Sequence, residues 1–210
     1  MTFRLWLATV AALICGSQAD AQNKVRTETI RPSVTANPAG KPNANATPSD
    51  AHNAAGVPDI VTDLSQLPAP VARTRERILA AAQSGDLQKL LTIMQMNETM
   101  PIFSFSDEKD PVAFWKNSYP DSEGIEVLSI LVTLLQTGYV HVDKGTPQEM
   151  YLWPYFTRMP VKNLTPEQKV ELFRIITGND YKDMLDFGAY IFYRVGIGPD
   201  GTWHFFVAGN

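Results

Sequence analysis

Residues 190–208 read YIFYRVGIGPDGTWHFFVA, two apolar arms around a short polar break. The break at 198–201 (GPDG) combines glycine, proline and aspartate, the residue types that tight turns favour. The arms at 190–197 and 202–208 are rich in aromatic and β-branched residues, which favour strands. This stretch predicts a C-terminal β-hairpin. Because both arms are apolar on both faces, we expect the hairpin to lie centrally in the fold.

Helix signals precede the hairpin along the chain. Gly85 suits the left-handed end of one helix, and Asp86 suits the start of the next. Thr165 begins a capping box that Gln168 completes, with Pro166 at the first helical position between them. The segment 123–137 is apolar almost all round, which is typical of a buried helix. The predicted helices cover residues 71–82, 87–94, 111–115, 123–137, 166–177 and 181–187.

Short strands are predicted between these helices, at residues 102–105 and 139–143. The aromatic run at 150–156 (MYLWPYF) contains Pro154, which cannot donate to the ladder of a central strand. We therefore expect this run at a sheet edge or in a loop. Together the elements predict an α+β fold, a helix-rich single domain with a small antiparallel sheet that includes the C-terminal β-hairpin.

The N-terminus has the three-part layout of a secretory signal peptide. Arg4 gives a positive start, residues 5–16 form an apolar run, and the sequence Ala-Asp-Ala at 19–21 is a small-residue cleavage site. The run is shorter than the ~20 residues that a membrane-spanning helix needs, and Ile14 before Cys15 does not fit a lipidation site. We expect cleavage after residue 21 and a periplasmic location, with a retained anchor or a lipid on Cys15 as alternatives.

Residues 22–66 differ in composition from the rest of the chain, with many Pro, Ala, Asn and Thr residues and no aromatic ring. Such a segment buries too little apolar surface to offset its ordering entropy, so we expect a disordered linker that acts as a tether. Residues 67–210 are then the single globular domain. The net charge of −4 and the lack of a basic run argue against nucleic acid as a partner.

Familiar catalytic motifs are missing from the mature sequence, including the serine-elbow, zinc-helix and phosphate-loop patterns. We therefore assign no catalytic residue, no metal ligand and no cofactor. His141 and Asp143 lie two apart on a predicted strand, where a carboxylate could orient the imidazole or simply hydrogen-bond it. Paired carboxylates could support glycoside hydrolysis. The candidates for such a pair are Glu126, Asp143, Glu149 and Asp183.

The aromatic run at 151–156 is the most distinctive local feature of the domain. On an extended stretch, Tyr151, Trp153 and Tyr155 would point to the same side. Tyrosine and tryptophan faces stack on sugars and peptides, so these three side chains are our candidate ligand-binding surface. The alternative is that they belong to the core.

Several blocks of the domain resemble a family of exported alphaproteobacterial proteins of unknown function. The resemblance spans roughly residues 67–210, and it implies an address in the Gram-negative envelope without implying a mechanism. The blocks are SGDLQKLL, DPVAFWK, GYVHVDKGTPQEMYLWPYF, LTPEQKVELFRIITGNDYKDM and GAYIFYRVGIGPDGTWHFFVAGN.

From these observations we expect a non-catalytic periplasmic envelope protein that binds a cell-wall fragment, a small ligand or a protein partner. The alternative is a hydrolase that acts on peptidoglycan or another envelope polymer through paired carboxylates. A cleft holding two close carboxyl groups with raised pKa values would favour the enzyme. A binding surface without such a pair would favour the non-catalytic protein.

Overall fold

A five-stranded antiparallel sheet is the centre of the fold. The computed structural model of the protein describes residues 59–209. The strands lie in the sheet in the order in which they occur along the chain. They are β1 (Ile60–Val61), β2 (Tyr139–Val142), β3 (Met150–Trp153), β4 (Arg194–Ile197) and β5 (Trp203–Val207). The predicted C-terminal hairpin is present as β4 and β5, and it forms one side of the sheet rather than its middle.

Residues 59–209 also form six α-helices, and the predicted α+β class is confirmed. The long connection between β1 and β2 contains four of them, and the connection between β3 and β4 contains the other two. They are α1 (Ala69–Gln83), α2 (Leu87–Gln95), α3 (Pro111–Ser118), α4 (Ile125–Leu135), α5 (Pro166–Leu172) and α6 (Gly178–Phe187). None of these helices has both the length and the apolar character that crossing a bilayer requires.

The helix boundaries follow the caps. The Asp86 carboxylate accepts the N–H of Gln88 at the start of α2, and the predicted capping box between Thr165 and Gln168 is present at the start of α5. Helix α5 ends at Leu172, earlier than predicted. After a short turn, Thr177 forms a second capping box with Asp180 and begins α6.

The helices lie on opposite faces of the sheet because strand side chains alternate between faces. Helices α1 to α4 pack on the first face, against side chains such as Tyr151, Trp153 and Phe206. Helices α5 and α6 pack on the second face, against Val140 and Leu152. Two hydrophobic cores therefore sandwich the sheet, and the second is the smaller of the two.

The position of Pro154 corrects one expectation. Strand β3 is the middle strand of the five, paired with β2 on one side and β4 on the other, so the aromatic run is neither an edge strand nor a loop. The strand ends at Trp153, and Pro154 follows immediately. Because Pro154 has no N–H to donate to the ladder, it limits the length of the strand without limiting the place of the strand in the sheet.

The predicted boundary between linker and domain at residues 66 and 67 is also wrong. Ile60 and Val61 pair with Val140 and Tyr139, so the fold begins before residue 67. These two β-branched residues occupy the edge of β2 that would otherwise be free, and Asp63 caps a short 3-10 helix just after them. The predicted signal peptide and most of the predicted linker lie outside the described residues.

Candidate ligand-binding groove

The predicted aromatic recognition surface is wrong, because all three of its members are buried. Tyr151 is 4% exposed, Trp153 is 0% exposed and Tyr155 is 2% exposed. Tyr151 and Trp153 belong to the core on the first face, whereas Tyr155 lies beyond the end of β3 in the core on the second face. The Tyr155 hydroxyl donates to the Glu171 carboxylate at 2.8 Å. The three rings are therefore core residues on two sides of the sheet.

A different surface has the shape of a binding site. Helices α5 and α6 leave part of the second sheet face open, and a groove of about 460 Å³ lies there. Its floor is apolar and comes from β2, β3 and β5. The floor residues are Val142, Met150, Leu152, Phe205 and Val207.

The groove has an exposed apolar wall in the segment before α3. Ile102 and Phe105 line the groove, and they are 53% and 68% exposed. Ile102 is fixed in place by a parallel bridge to Phe205. Large exposed apolar side chains beside a concavity are typical of binding sites.

Two arginines stand at one end of the groove. Arg194 begins β4, and Arg158 follows β3 after a single 3-10 turn. Burial lowers the pKa of Arg194, and the nearby positive charge of Arg158 lowers it further. A guanidinium fork matches carboxylate and phosphate oxygens, so two arginines side by side are suited to an anionic group.

Thr157 adds a neutral polar group to the groove lining. Its Oγ1 is buried and has no hydrogen-bond partner among the described residues. A buried hydroxyl without a partner costs free energy. A ligand with an acceptor at this place would satisfy it.

Asp143 and Gln148 line the groove at its other end, in the turn between β2 and β3. Asp143 has a left-handed backbone, with φ of 53°, and it lies just past the end of β2. The expected pairing of Asp143 with His141 on one strand face is therefore wrong.

His141 has Glu149 as its partner. The imidazole Nε2 and the carboxylate Oε1 are 2.7 Å apart, and the ring stacks on Tyr151 with centroids 4.1 Å apart. The other carboxylate oxygen accepts the Gly145 N–H at 2.8 Å. The hydrogen bond from the Gly145 N–H is the main reason that the pKa of Glu149 is lowered. The hydrogen bond to His141 is the second reason. The cluster closes the β2–β3 turn on the face away from the groove.

The four candidate carboxylates are distributed over the molecule. Glu126 is on α4, Asp183 is on α6, and Asp143 and Glu149 lie on either side of the β2–β3 turn. Among the described carboxyl groups, every resolved pKa shift is downward. These groups are Asp63, Glu149, Glu167 and Asp200.

A second cavity of about 350 Å³ lies between α1, α2 and the β4–β5 turn. Its lining mixes Arg73 and Arg77 with the carboxylates of Glu98 and Asp200. The Asp200 carboxylate already accepts the backbone N–H and the hydroxyl of Thr202. With charges of both signs mixed along its walls, this cavity is the weaker candidate.

Comparison with known proteins returned no matching family model, no matching curated protein and no matching solved structure.

None of the sequence motifs marks the residues that line the charged end of the groove, Thr157, Arg158 and Arg194. One signal for Arg194 was present. It is the only charged residue in the apolar arm at 190–197, and charged residues are rarely found within buried strands.

Proposed function

We propose that the protein is a non-catalytic exported binding protein that holds a small amphipathic anion in this groove. The observation that carries the proposal is the apolar floor with Arg158 and Arg194 together at one end. A cavity of about 460 Å³ lies in the range of small-molecule sites, which are mostly apolar with a few polar groups that fix orientation. An apolar ligand body would cover the floor while its anionic head meets the guanidinium groups.

The alternative, a hydrolase of envelope polymers, has less support. A glycosidase needs two carboxyl groups about 5–10 Å apart, one of them held protonated by a raised pKa. Within residues 59–209 the groove has Asp143 as its single acidic lining residue, and the resolved carboxyl shifts run in the opposite direction. A binding role therefore agrees better with the site.

The exported address is part of this proposal, and it rests on residues 1–21 of the sequence. We predict that the protein isolated from the envelope begins at Gln22. Mass spectrometry of the N-terminus of the native protein measures this directly. A chain that retains Met1, or one that carries lipid on Cys15, would contradict the proposed address.

We predict that the mature chain binds 1-anilinonaphthalene-8-sulfonate, an apolar anion whose fluorescence rises in an apolar site. Phe105→Ala removes a wall residue and should weaken binding about fivefold or more, as truncation of a contact aromatic does. Arg158→Gln should weaken it by removing one of the two positive charges, and added salt should weaken binding to the unmodified chain.

Phe187→Ala is the matched control, because Phe187 is 60% exposed and is not part of the groove lining. Both phenylalanine variants should keep the melting temperature of the parent, so that binding and stability are read separately. Equal loss of affinity in Phe105→Ala and Phe187→Ala would mean that the dye binds elsewhere, and the proposed site would be abandoned.

A further inference from the structure

The two ends of the groove carry opposite charges. Arg158 and Arg194 stand at one end, and Asp143 stands at the other. Asp143 is the one acidic residue and the arginines are the two basic residues in the described lining. An amphipathic molecule with a single anionic head would use only the basic end. Complementarity at both ends requires an anionic group and a cationic group on the same ligand.

The sheet register gives the separation along the strands between the backbone levels near these two ends. Asp143 and Gln148 belong to the turn at the Met150 end of β3, whereas Val195 lies opposite Trp153, which places Arg194 one residue beyond the other end. From the level of Met150 to the level of Arg194 is four residue steps. At ~3.3 Å per step these two backbone levels are roughly 13 Å apart along the strands, and the side chains of Asp143 and Arg194 extend from near them.

An extended peptide advances by the same ~3.3 Å per residue, so about four residues span this distance. Its terminal ammonium and carboxylate would then stand at the two charged ends. The apolar floor between them, formed by residues such as Met150, Leu152 and Phe205, suits apolar side chains. Gln148 and Thr157 offer an amide and an unsatisfied hydroxyl to polar atoms of the ligand.

We propose that the groove binds a short peptide of about four residues with apolar side chains, with its C-terminal carboxylate at Arg158 and Arg194 and its N-terminal ammonium at Asp143. This inference rests on the proposed function, because it assigns the ligand class of the same groove. It adds two requirements on the ligand that the proposed function does not make. The ligand carries a positive charge that meets Asp143, and its length is limited.

Isothermal titration of the mature chain with peptides of two to six leucine and alanine residues tests the inference. Affinity should be highest near four residues. Acetylating the amine, or amidating the carboxylate, should each weaken binding of the best peptide by about two- to fivefold, because each removes one charge pair and both Asp143 and Arg158 are exposed.

Two variants test which charged residue of the groove binds which terminus of the peptide. Asp143→Asn should abolish the preference for a free amine over an acetylated one while preserving the preference for a free carboxylate. Arg158→Gln should reduce the preference for a free carboxylate, because Arg194 remains, and should preserve the preference for a free amine. The matched controls are Asp121→Asn and Lys162→Gln, which remove exposed charges outside the groove lining and should change neither preference.

The outcomes separate the two proposals. If acetylation has no effect while amidation weakens binding, the peptide assignment is wrong and the amphipathic-anion site stands. If an ω-amino fatty acid of the same span binds more tightly than the peptide, the ligand is a zwitterion of another class and the peptide assignment is again wrong. If neither the peptides nor the anionic dye bind in the groove, both proposals fail.

Discussion

Trp153→Ala should lower the free energy of unfolding by about 3–5 kcal/mol, the cost of removing a large ring from a core. Trp153 is fully buried in the middle strand of the sheet. It packs against Tyr139 with ring centroids 5.4 Å apart, and the helices α1 to α4 close over the same core. Denaturant unfolding of the variant and the parent measures the difference. A loss below about 1 kcal/mol would be the value expected of a surface side chain and would contradict the burial described above.

Two phenylalanine variants refine this prediction. Trp153 Nε1 has no hydrogen-bond partner among the described residues, so Trp153→Phe removes an unpaired donor along with some volume and should change stability by less than about 1 kcal/mol. Trp203 is buried to a similar degree, but its Nε1 donates to the Phe205 carbonyl at 3.0 Å. Trp203→Phe should therefore cost about 1–2 kcal/mol more than Trp153→Phe. Equal costs would show that the indole hydrogen bond contributes nothing.

Gly196→Ala should destabilise the protein by about 1–3 kcal/mol, the usual cost of overpacking, and should also weaken binding in the groove. A Cβ on Gly196 would clash with Cζ and Cε1 of Phe205, because that ring lies directly across the glycine. The ring must move, and it is part of the groove floor. Thermal unfolding and dye binding measure the two effects.

A double-mutant cycle separates this clash from other effects of the alanine. In the background of Phe205→Ala the obstructing ring is gone, so Gly196→Ala should cost less there, with a coupling energy of about 0.5–3 kcal/mol. Gly178→Ala is the control, because a Cβ there meets nothing within 4 Å and should change stability by no more than about 0.5 kcal/mol. If Gly196→Ala destabilises the Phe205→Ala variant as much as it destabilises the parent, the destabilisation comes from the backbone and not from the ring.

Features that depend on a few neighbouring residues could be predicted from the sequence. The cap at Asp86, the capping box at Thr165 and the turn between β4 and β5 each follow from side chains that hydrogen-bond to backbone nearby. The α+β class follows in turn, because these signals mark where helices and strands begin and end. Residues 57–67 also become more apolar, which is the sequence signal for the early start of the domain at β1.

Features that depend on contacts between distant segments could not be predicted. The alternation of side chains along residues 151–156 does not specify which helices pack on which face of the sheet. The burial of Trp153 depends on α1 to α4, so it could not be predicted without their positions. The partner of His141 is eight residues away across a turn, while Asp143 is nearer in sequence and lies on the other side of the sheet. The basic end of the groove likewise combines Arg158 and Arg194, 36 residues apart in number, through the pairing of β3 with β4.

The two edge strands of the sheet affect whether copies of this protein can aggregate at high concentration. Unpaired strand edges are templates on which a second chain can add and start a fibril. Here one edge strand is β1, which is only two residues long. Along the other, β5, Ile102 donates its N–H to the His204 carbonyl and accepts the N–H of Phe206. Each edge of the sheet therefore offers few unpaired backbone groups to a strand from a second copy of the chain. The fold resists aggregation by strand addition for this reason.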